Sequence, residues 1–169
     1  GFVHGVLNTD NINITGESFD YGPWRFLPAY DPAFTAAYFD ESGLYAFGRQ
    51  PDALAWNLTR LAECLLPLGE HEALETALNR FWPAFRKEIW TAMLGRLGLE
   101  PRSDEEDAEL TSAIFAFLYA TQAPYEQFFF DWRGGRLSTD RAATSPSSEH
   151  YTHASFAPIR EAFEFYEAP

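Results

Sequence analysis

The chain has 169 residues, of which 46% are hydrophobic and 17% aromatic, and it carries 25 acidic against 12 basic side chains for a formal net charge of −13. This composition excludes a disordered chain and predicts a single domain with a sizeable core. The acidic charge argues against nucleic acid as a partner, because nucleic-acid binding needs a basic surface. No apolar run has the length of a membrane span, so a membrane is not an expected partner either.

Residues 1–22 contain the candidate site. The octapeptide HGVLNTDN aligns with the protein-kinase catalytic-loop pattern H-R-D-L-x-x-x-N, whose Asp receives the hydroxyl proton and whose Asn binds magnesium. His4, Leu7 and Asn11 match the pattern, and we expect His4 to be a structural hydrogen-bonding residue. Val6 stands at the Asp position, which disfavours an ordinary kinase unless another carboxylate, most obviously Asp10, has taken over that role.

The residues after this loop predict a tight β-hairpin, because polar and apolar side chains alternate on both sides of a two-residue turn at 16–17. Pairing Thr15 with Ser18 leaves Asn11 and Asp20 on one face, roughly 7–8 Å apart along the diagonal. An amide oxygen and a carboxylate at that spacing could share one Mg²⁺, which takes only one or two ligands from protein. The alternative is a surface hairpin without chemistry, since Asn, Asp and Gly are also common turn residues.

The rest of the chain predicts mainly helices. We expect irregular chain at 23–50, pinned by burial of Trp24, Phe26, Tyr30 and Phe34, and then a helix from Pro51 in which Cys64 packs into the core. Because Cys64 is the only cysteine, no intrachain disulfide can form, which favours a reducing cytoplasm of bacterial type. The further expected elements are a helix over 70–97 that Pro83 kinks or divides, a helix from the Ser103 cap to about Thr121, a short helix at 125–132, a flexible loop at 138–148 and a last helix at 156–166.

Four sequence blocks resemble the selenoprotein O family of kinase-like protein adenylyltransferases. They read HGVLNTDN, DYGP, YDPAF and QPDALAWNLTRLA, and they lie in that order between about residues 2 and 62. The resemblance is weaker beyond about residue 70, where YATQAPYEQFFFDWRGG is similar to the family's distal helical part.

The resemblance implies a mainly α fold, namely the C-terminal lobe of a protein-kinase-like domain, in which a small β-hairpin carrying the metal site precedes a helical bundle. It implies transfer of AMP from ATP to Ser, Thr or Tyr hydroxyls of acceptor proteins, the enzyme itself among them. Carried over by motif position, Asp10 is the catalytic base, and Asn11 and Asp20 bind ATP through a shared Mg²⁺ or Mn²⁺. Val6 at the kinase Asp position matches the family.

Neither a Gly-rich loop nor a strand Lys that would hold phosphates is readable in residues 1–169. We therefore expect the whole chain, 1–169, to be the catalytic-loop lobe of a longer protein, with the N-terminal nucleotide-binding lobe outside it and no useful catalysis by the isolated chain. Two other functions stay open at this point. One is a phosphotransferase that uses the same metal pair, and the other is a catalytically dead pseudokinase scaffold.

Overall fold

The computed structural model describes residues 1–169 and is mainly helical. Two short strands, β1 and β2, precede seven α-helices, and five 3-10 turns lie among them at 9–11, 47–49, 135–138, 148–152 and 154–156. The strands and helices are β1 Phe2–Val3, β2 Arg25–Phe26, α1 Gln50–Leu65, α2 His71–Asn79, α3 Phe81–Leu97, α4 Asp104–Thr121, α5 Tyr125–Asp131, α6 Thr139–Ala143 and α7 Ala157–Phe163. None of these helices combines the length and the apolar character that crossing a bilayer requires.

The chain forms two compact units, and the division between them falls inside α3. The first unit comprises residues 1–27 and 31–85, and the second comprises residues 28–30 and 86–169. Seven α-helices and two short strands confirm the prediction of a mainly α fold class.

The sheet of the first unit joins β1 to β2 in antiparallel register, with Phe2 opposite Phe26 and Val3 opposite Arg25. The chain is irregular between β2 and α1, as predicted, but β2 itself lies inside the segment 23–50 that was predicted to be irregular throughout. Burial of the aromatic residues does not hold the whole segment in place. Trp24 and Phe26 are 50% and 57% exposed. Both rings contact Phe2 on the outer side of the two strands instead of entering a core.

Hydrogen bonds from short polar side chains hold much of this irregular segment. The Asp31 carboxylate accepts from the Ala33 backbone N–H at 2.8 Å. The Asp40 carboxylate accepts from the backbone N–H groups of Leu44 and Tyr45, each at 2.8 Å. These turns satisfy backbone donors that no helix or sheet is available to satisfy.

Helix α1 begins at Gln50 with Pro51 in its first turn, where a missing N–H costs nothing. The prediction that Cys64 packs into the core is wrong, because its side chain is exposed. Cys64 lies in the last turn of α1, and the residues that follow at 66–70 are themselves exposed.

The prediction that Pro83 divides the helix over 70–97 is confirmed, and the break lies at Arg80. A proline ring clashes with the carbonyl four residues earlier, which here belongs to Asn79, the last residue of α2. Pro83 itself sits in the first turn of α3, where its lack of an N–H is tolerated.

In the second unit, the predicted cap of α4 is confirmed. The Ser103 hydroxyl accepts from the Glu106 N–H at 3.2 Å and donates to the Glu106 carboxylate at 2.8 Å. Aromatic side chains dominate the core around α4. Phe117, Phe128 and Phe156 are fully buried, and the Phe117 ring lies 5.6 Å from Phe128 and 5.2 Å from Phe156 between centroids.

The prediction of a flexible loop at 138–148 is wrong, because the segment contains α6 and is anchored to a buried carboxylate. Asp131 is 1% exposed and accepts hydrogen bonds from Ser145, Tyr151 and Gln127, at 2.5 to 2.8 Å. A buried charge at the end of one helix therefore orders the polar sequence that follows it. The last helix is shorter than predicted at both ends, because a 3-10 turn at 154–156 precedes α7 and the helix ends at Phe163, three residues before the predicted end.

We expect Phe117→Ala to lower the free energy of unfolding by about 3–5 kcal/mol, because it opens a cavity among fully buried rings. Phe130→Ala is the matched control, since Phe130 is 63% exposed, and should cost less than about 1 kcal/mol. Urea unfolding followed by circular dichroism measures both. Equal losses in the two variants would contradict this account of the core.

Candidate functional site

The His4 side chain joins the two segments that carry the candidate site residues. Its Nδ1 accepts from the Val6 backbone N–H at 3.1 Å, so the proton must be on Nε2, which lies 2.7 Å from the Ser18 hydroxyl. That hydroxyl in turn donates to the backbone carbonyl of Asn11 at 2.9 Å. The expected structural role of His4 fits this geometry, because both ring nitrogens are engaged by the protein itself.

Burial of the imidazole lowers the pKa of His4, an effect partly opposed by the nearby carboxylate of Asp20. A neutral ring is what the hydrogen bonds require, because a protonated Nδ1 could not accept from Val6. The two observations agree on an uncharged His4 at neutral pH.

Two glycines let the HGVLNTDN loop pack directly on the segment after Asp20. A Cβ on Gly5 would lie 2.7 Å from Cδ of Pro23, and one on Gly22 would lie 2.9 Å from a methyl carbon of Val6. Gly22 also has φ +57°, a conformation that other residues rarely adopt. The Gly5 N–H donates to the Tyr21 carbonyl at 2.8 Å across this contact. The glycines of the HGV and DYG motifs are therefore required by the close approach of two backbones.

The predicted hairpin register is wrong by three residues. Ile12 lies opposite Ser18, with hydrogen bonds from the Asn13 N–H to the Glu17 carbonyl and from the Phe19 N–H to the Asn11 carbonyl. A three-residue loop at 14–16, with Gly16 at φ +87°, replaces the expected two-residue turn. The small sheet of the fold is formed by β1 and β2, and the hairpin contributes only an isolated bridge.

The observed register places Asn11 opposite Phe19, the residue just before Asp20, so the predicted pairing that put Asn11 and Asp20 on one face is wrong as well. The Asn11 amide nitrogen donates to the Val6 carbonyl at 3.0 Å, which leaves Oδ1 without a partner. One carboxylate oxygen of Asp20 accepts from the Gly22 N–H at 2.9 Å, which leaves Oδ2 without one. Each side chain is thus held by one atom and offers one oxygen.

Asp10 lies in the 3-10 turn Thr9–Asn11, which the Asn8 side chain caps by accepting from the Asp10 N–H at 3.2 Å. Its carboxylate is exposed and makes no hydrogen bond or ion pair within the chain. Its charge is felt by Tyr45, whose pKa is raised by burial first, then by Asp40 and by Asp10. Asp10 therefore has no partner within the chain.

Sequence reasoning assigned no role to two side chains of α1 that hold the loop in place. The Gln50 side chain accepts from the His4 N–H at 2.8 Å and donates to the Phe2 carbonyl at 3.2 Å. The Asn57 amide donates to the Leu7 carbonyl at 3.1 Å. Gln50 and Asn57 are seven residues apart, which puts them on one face of the helix. In the sequence, this role is indicated by the seven-residue spacing of two polar side chains on an amphipathic helix.

The free oxygens of Asn11 and Asp20 are the candidate ligands for a cation in this part of the chain. No three His, Cys, Asp or Glu side chains lie close enough together to hold a metal ion by themselves. Asn11 Oδ1 and Asp20 Oδ2 are hard oxygen donors of the kind that Mg²⁺ prefers, and its remaining positions are commonly filled by phosphate and water.

The lowered pKa of His4 has a predictable effect on stability. The unfolded chain binds the proton more tightly than the folded chain, so His4 should destabilise the fold progressively as pH falls from about 6.5, its ordinary value, through the lowered one. Stability should rise again as pH increases through the same window. Unfolding free energies of the wild type and His4→Asn across this range isolate the effect, and a His4 contribution of the opposite sign would contradict it.

Comparison with known proteins adds the family to this geometry. A family model described as protein adenylyltransferase SelO matches residues 1–157. The protein nucleotidyltransferase YdiU of Trichormus variabilis is 45% identical over 131 residues, which are 78% of this chain and 27% of that protein. The protein of the same name from Mycolicibacterium paratuberculosis is 41% identical over 159 residues, covering 89% of this chain and 32% of that protein. The chain thus spans about a third or less of the length of these relatives, and it belongs to the SelO family of protein adenylyltransferases.

Proposed function

We propose that this chain carries the catalytic loop of a protein adenylyltransferase, which transfers AMP from ATP to Ser, Thr or Tyr hydroxyls of acceptor proteins, itself among them. The observation that carries the proposal is that Asn11 Oδ1, Asp20 Oδ2 and the Asp10 carboxyl group have no partner within the chain. The names of the relatives support nucleotidyl transfer as the class of reaction.

Each site residue has a role that follows from the chemistry of its side chain. Asn11 and Asp20 would hold Mg²⁺ or Mn²⁺, because their free oxygens are hard ligands on neighbouring parts of the bridged hairpin. A divalent cation bound there neutralises phosphate charge and orients the triphosphate. Asp10 accepts the proton of the acceptor hydroxyl. The hydroxyl oxygen bonds to the α-phosphorus of ATP while the bond from that phosphorus to pyrophosphate breaks.

His4 acts only through position. Its two hydrogen bonds fix the loop relative to Ser18, and therefore fix Asn11 relative to Asp20. Positioning of this kind supplies most of the rate in phosphoryl and nucleotidyl transfer, where little covalent chemistry is asked of the protein.

We also propose that the chain is the C-terminal lobe of a kinase-like domain and that the nucleotide-binding lobe lies elsewhere in a longer protein. The relatives support this, since residues matched in this chain make up 27% to 32% of their length. A reducing, cytoplasmic setting is part of the same proposal, because the single cysteine can form no disulfide within the chain.

In the longer protein, Asp10→Asn, Asn11→Ala and Asp20→Asn should each lower AMP transfer by about 100-fold or more, because each removes a base or a metal ligand. Intact-protein mass spectrometry after incubation with Mg-ATP measures the added AMP. Asp31→Asn is the matched control, since Asp31 also accepts a backbone N–H two residues on, at 2.8 Å, and should stay active.

The mass added in that experiment also separates the alternatives. An added phosphate in place of AMP would show a phosphotransferase that uses the same metal pair. Full AMP transfer by the Asp10 or Asp20 variant would contradict the roles proposed here, and no transfer to any protein would favour a scaffold.

Residues 1–169 alone should transfer no AMP above background, because the chain has only 12 basic side chains against 25 acidic ones and no phosphate-holding loop. The measurement is incorporation of label from ATP carrying a radioactive α-phosphate, with the longer protein as positive control. Transfer by the isolated chain at a rate comparable to the longer protein would overturn the two-lobe proposal.

A further inference from the structure

A pocket of about 350 Å³ opens beside the catalytic loop, within the first unit. Residues 7–9 of the loop form one side, the chain just before α1 forms another, and the first two turns of α1 form the third. The lining includes Leu7, Leu44, Arg49, Asp52, Trp56 and Asn57.

The walls of this pocket are held by bonds inside the chain, so the pocket exists without an occupant. Asp40 fixes the backbone at Leu44 and Tyr45 through two hydrogen bonds of 2.8 Å. Asn57 fixes the loop by donating to the Leu7 carbonyl at 3.1 Å. A preformed pocket binds without the cost of ordering its own walls.

The position of the pocket links it to the acceptor side of the reaction. Asn8 and Thr9 line it, and they directly precede Asp10, the residue proposed to accept the hydroxyl proton. Tyr45 also lines it, and the charge of Asp10 contributes to the raised pKa of the Tyr45 hydroxyl. A side chain seated here would therefore belong to a residue close in sequence to the modified hydroxyl.

The lining offers one carboxyl group without a partner, that of Asp52. Asp52 makes no ion pair or side-chain hydrogen bond in the structure, and it lies in the first turn of α1. Arg49 also lines the pocket and donates from Nη1 to the carbonyls of Ser42 and Gly43, at 3.4 and 3.3 Å, which directs that nitrogen to the backbone.

The apolar part of the lining consists of Leu7, Leu44, Ala53 and the exposed ring of Trp56. An aliphatic stem against such walls with a cationic donor at its tip is the chemistry of Lys and Arg. An anion would instead face Asp52 and the carboxylates of Asp10 and Asp40 near Tyr45, in a chain of net charge −13. The charge of the site thus selects a basic occupant.

We propose that this pocket seats a Lys or Arg side chain of the acceptor protein, within about four residues of the hydroxyl that receives AMP, with Asp52 as its charged partner. The inference rests on the proposed function and adds a sequence preference to it. Four extended residues reach roughly 13–14 Å, which sets the range over which one polypeptide segment could occupy both places.

The test uses the longer protein and synthetic peptides with one central Ser, in which a single Arg is moved through the flanking positions and norleucine replaces it in the reference peptide. AMP incorporation should favour Arg at one or two positions by about fivefold or more, the factor that about 1 kcal/mol of charge pairing gives. Asp52→Asn should reduce that ratio toward one, and Asp52→Lys should shift the preference to Glu at the same positions.

Glu72→Gln is the matched control, because Glu72 is an exposed acid in the first turn of α2, in the same unit, and does not line the pocket. It should keep the full Arg preference. Loss of the preference in both variants would show a general effect of negative charge and would contradict a specific pocket.

Three further outcomes would overturn the inference. These are equal transfer to Arg and norleucine peptides, a preference that Asp52→Asn leaves intact, and labelling of whole acceptor proteins under conditions in which no peptide is labelled. In each of them AMP transfer itself persists, so the proposed function survives. Failure of the proposed function is recognised separately, as the absence of AMP transfer to any acceptor.

Discussion

The buried imidazole of His4 is the interaction on which the candidate site depends. One ring nitrogen accepts from the loop at Val6, and the other donates across to Ser18, whose hydroxyl returns to the loop at Asn11. A single neutral side chain thus ties the loop to the chain that leads to Asp20. Leaving a buried donor or acceptor unpaired costs about 1–3 kcal/mol, so the site is ordered only while this path is intact.

Helix α1 extends the same constraint to the rest of the first unit. Gln50 bonds to the backbone of β1 and of His4, and Asn57 bonds to Leu7, so one face of the helix holds both ends of the loop. The bond from Asn57 also fixes Leu7, which lines the pocket beside the loop.

The sequence predicted features that depend on local chemistry, and it missed those that depend on the neighbours of a residue. The Ser103 cap and the break before Pro83 follow from backbone donors within one turn, and both are confirmed. The hairpin register was missed, because an Asx turn at Asn13 and the left-handed Gly16 favour a three-residue loop. Cys64 was misplaced because periodicity gives a face of a helix but not what covers its end. The candidate site residues came from motif spacing, which does not show how α1 holds them.

The central claim is that Asn11 and Asp20 supply the protein oxygens for the cation that accompanies ATP. A crystal structure of the longer protein with Mn²⁺ and a non-hydrolysable ATP analogue tests it most directly, because the anomalous signal locates the metal independently of activity. The account predicts a peak at roughly 2.0–2.2 Å from Asn11 Oδ1 and from one oxygen of Asp20, with phosphate and water in the other positions. A nucleotide-bound metal ligated by other side chains, with both of these oxygens empty, would contradict it.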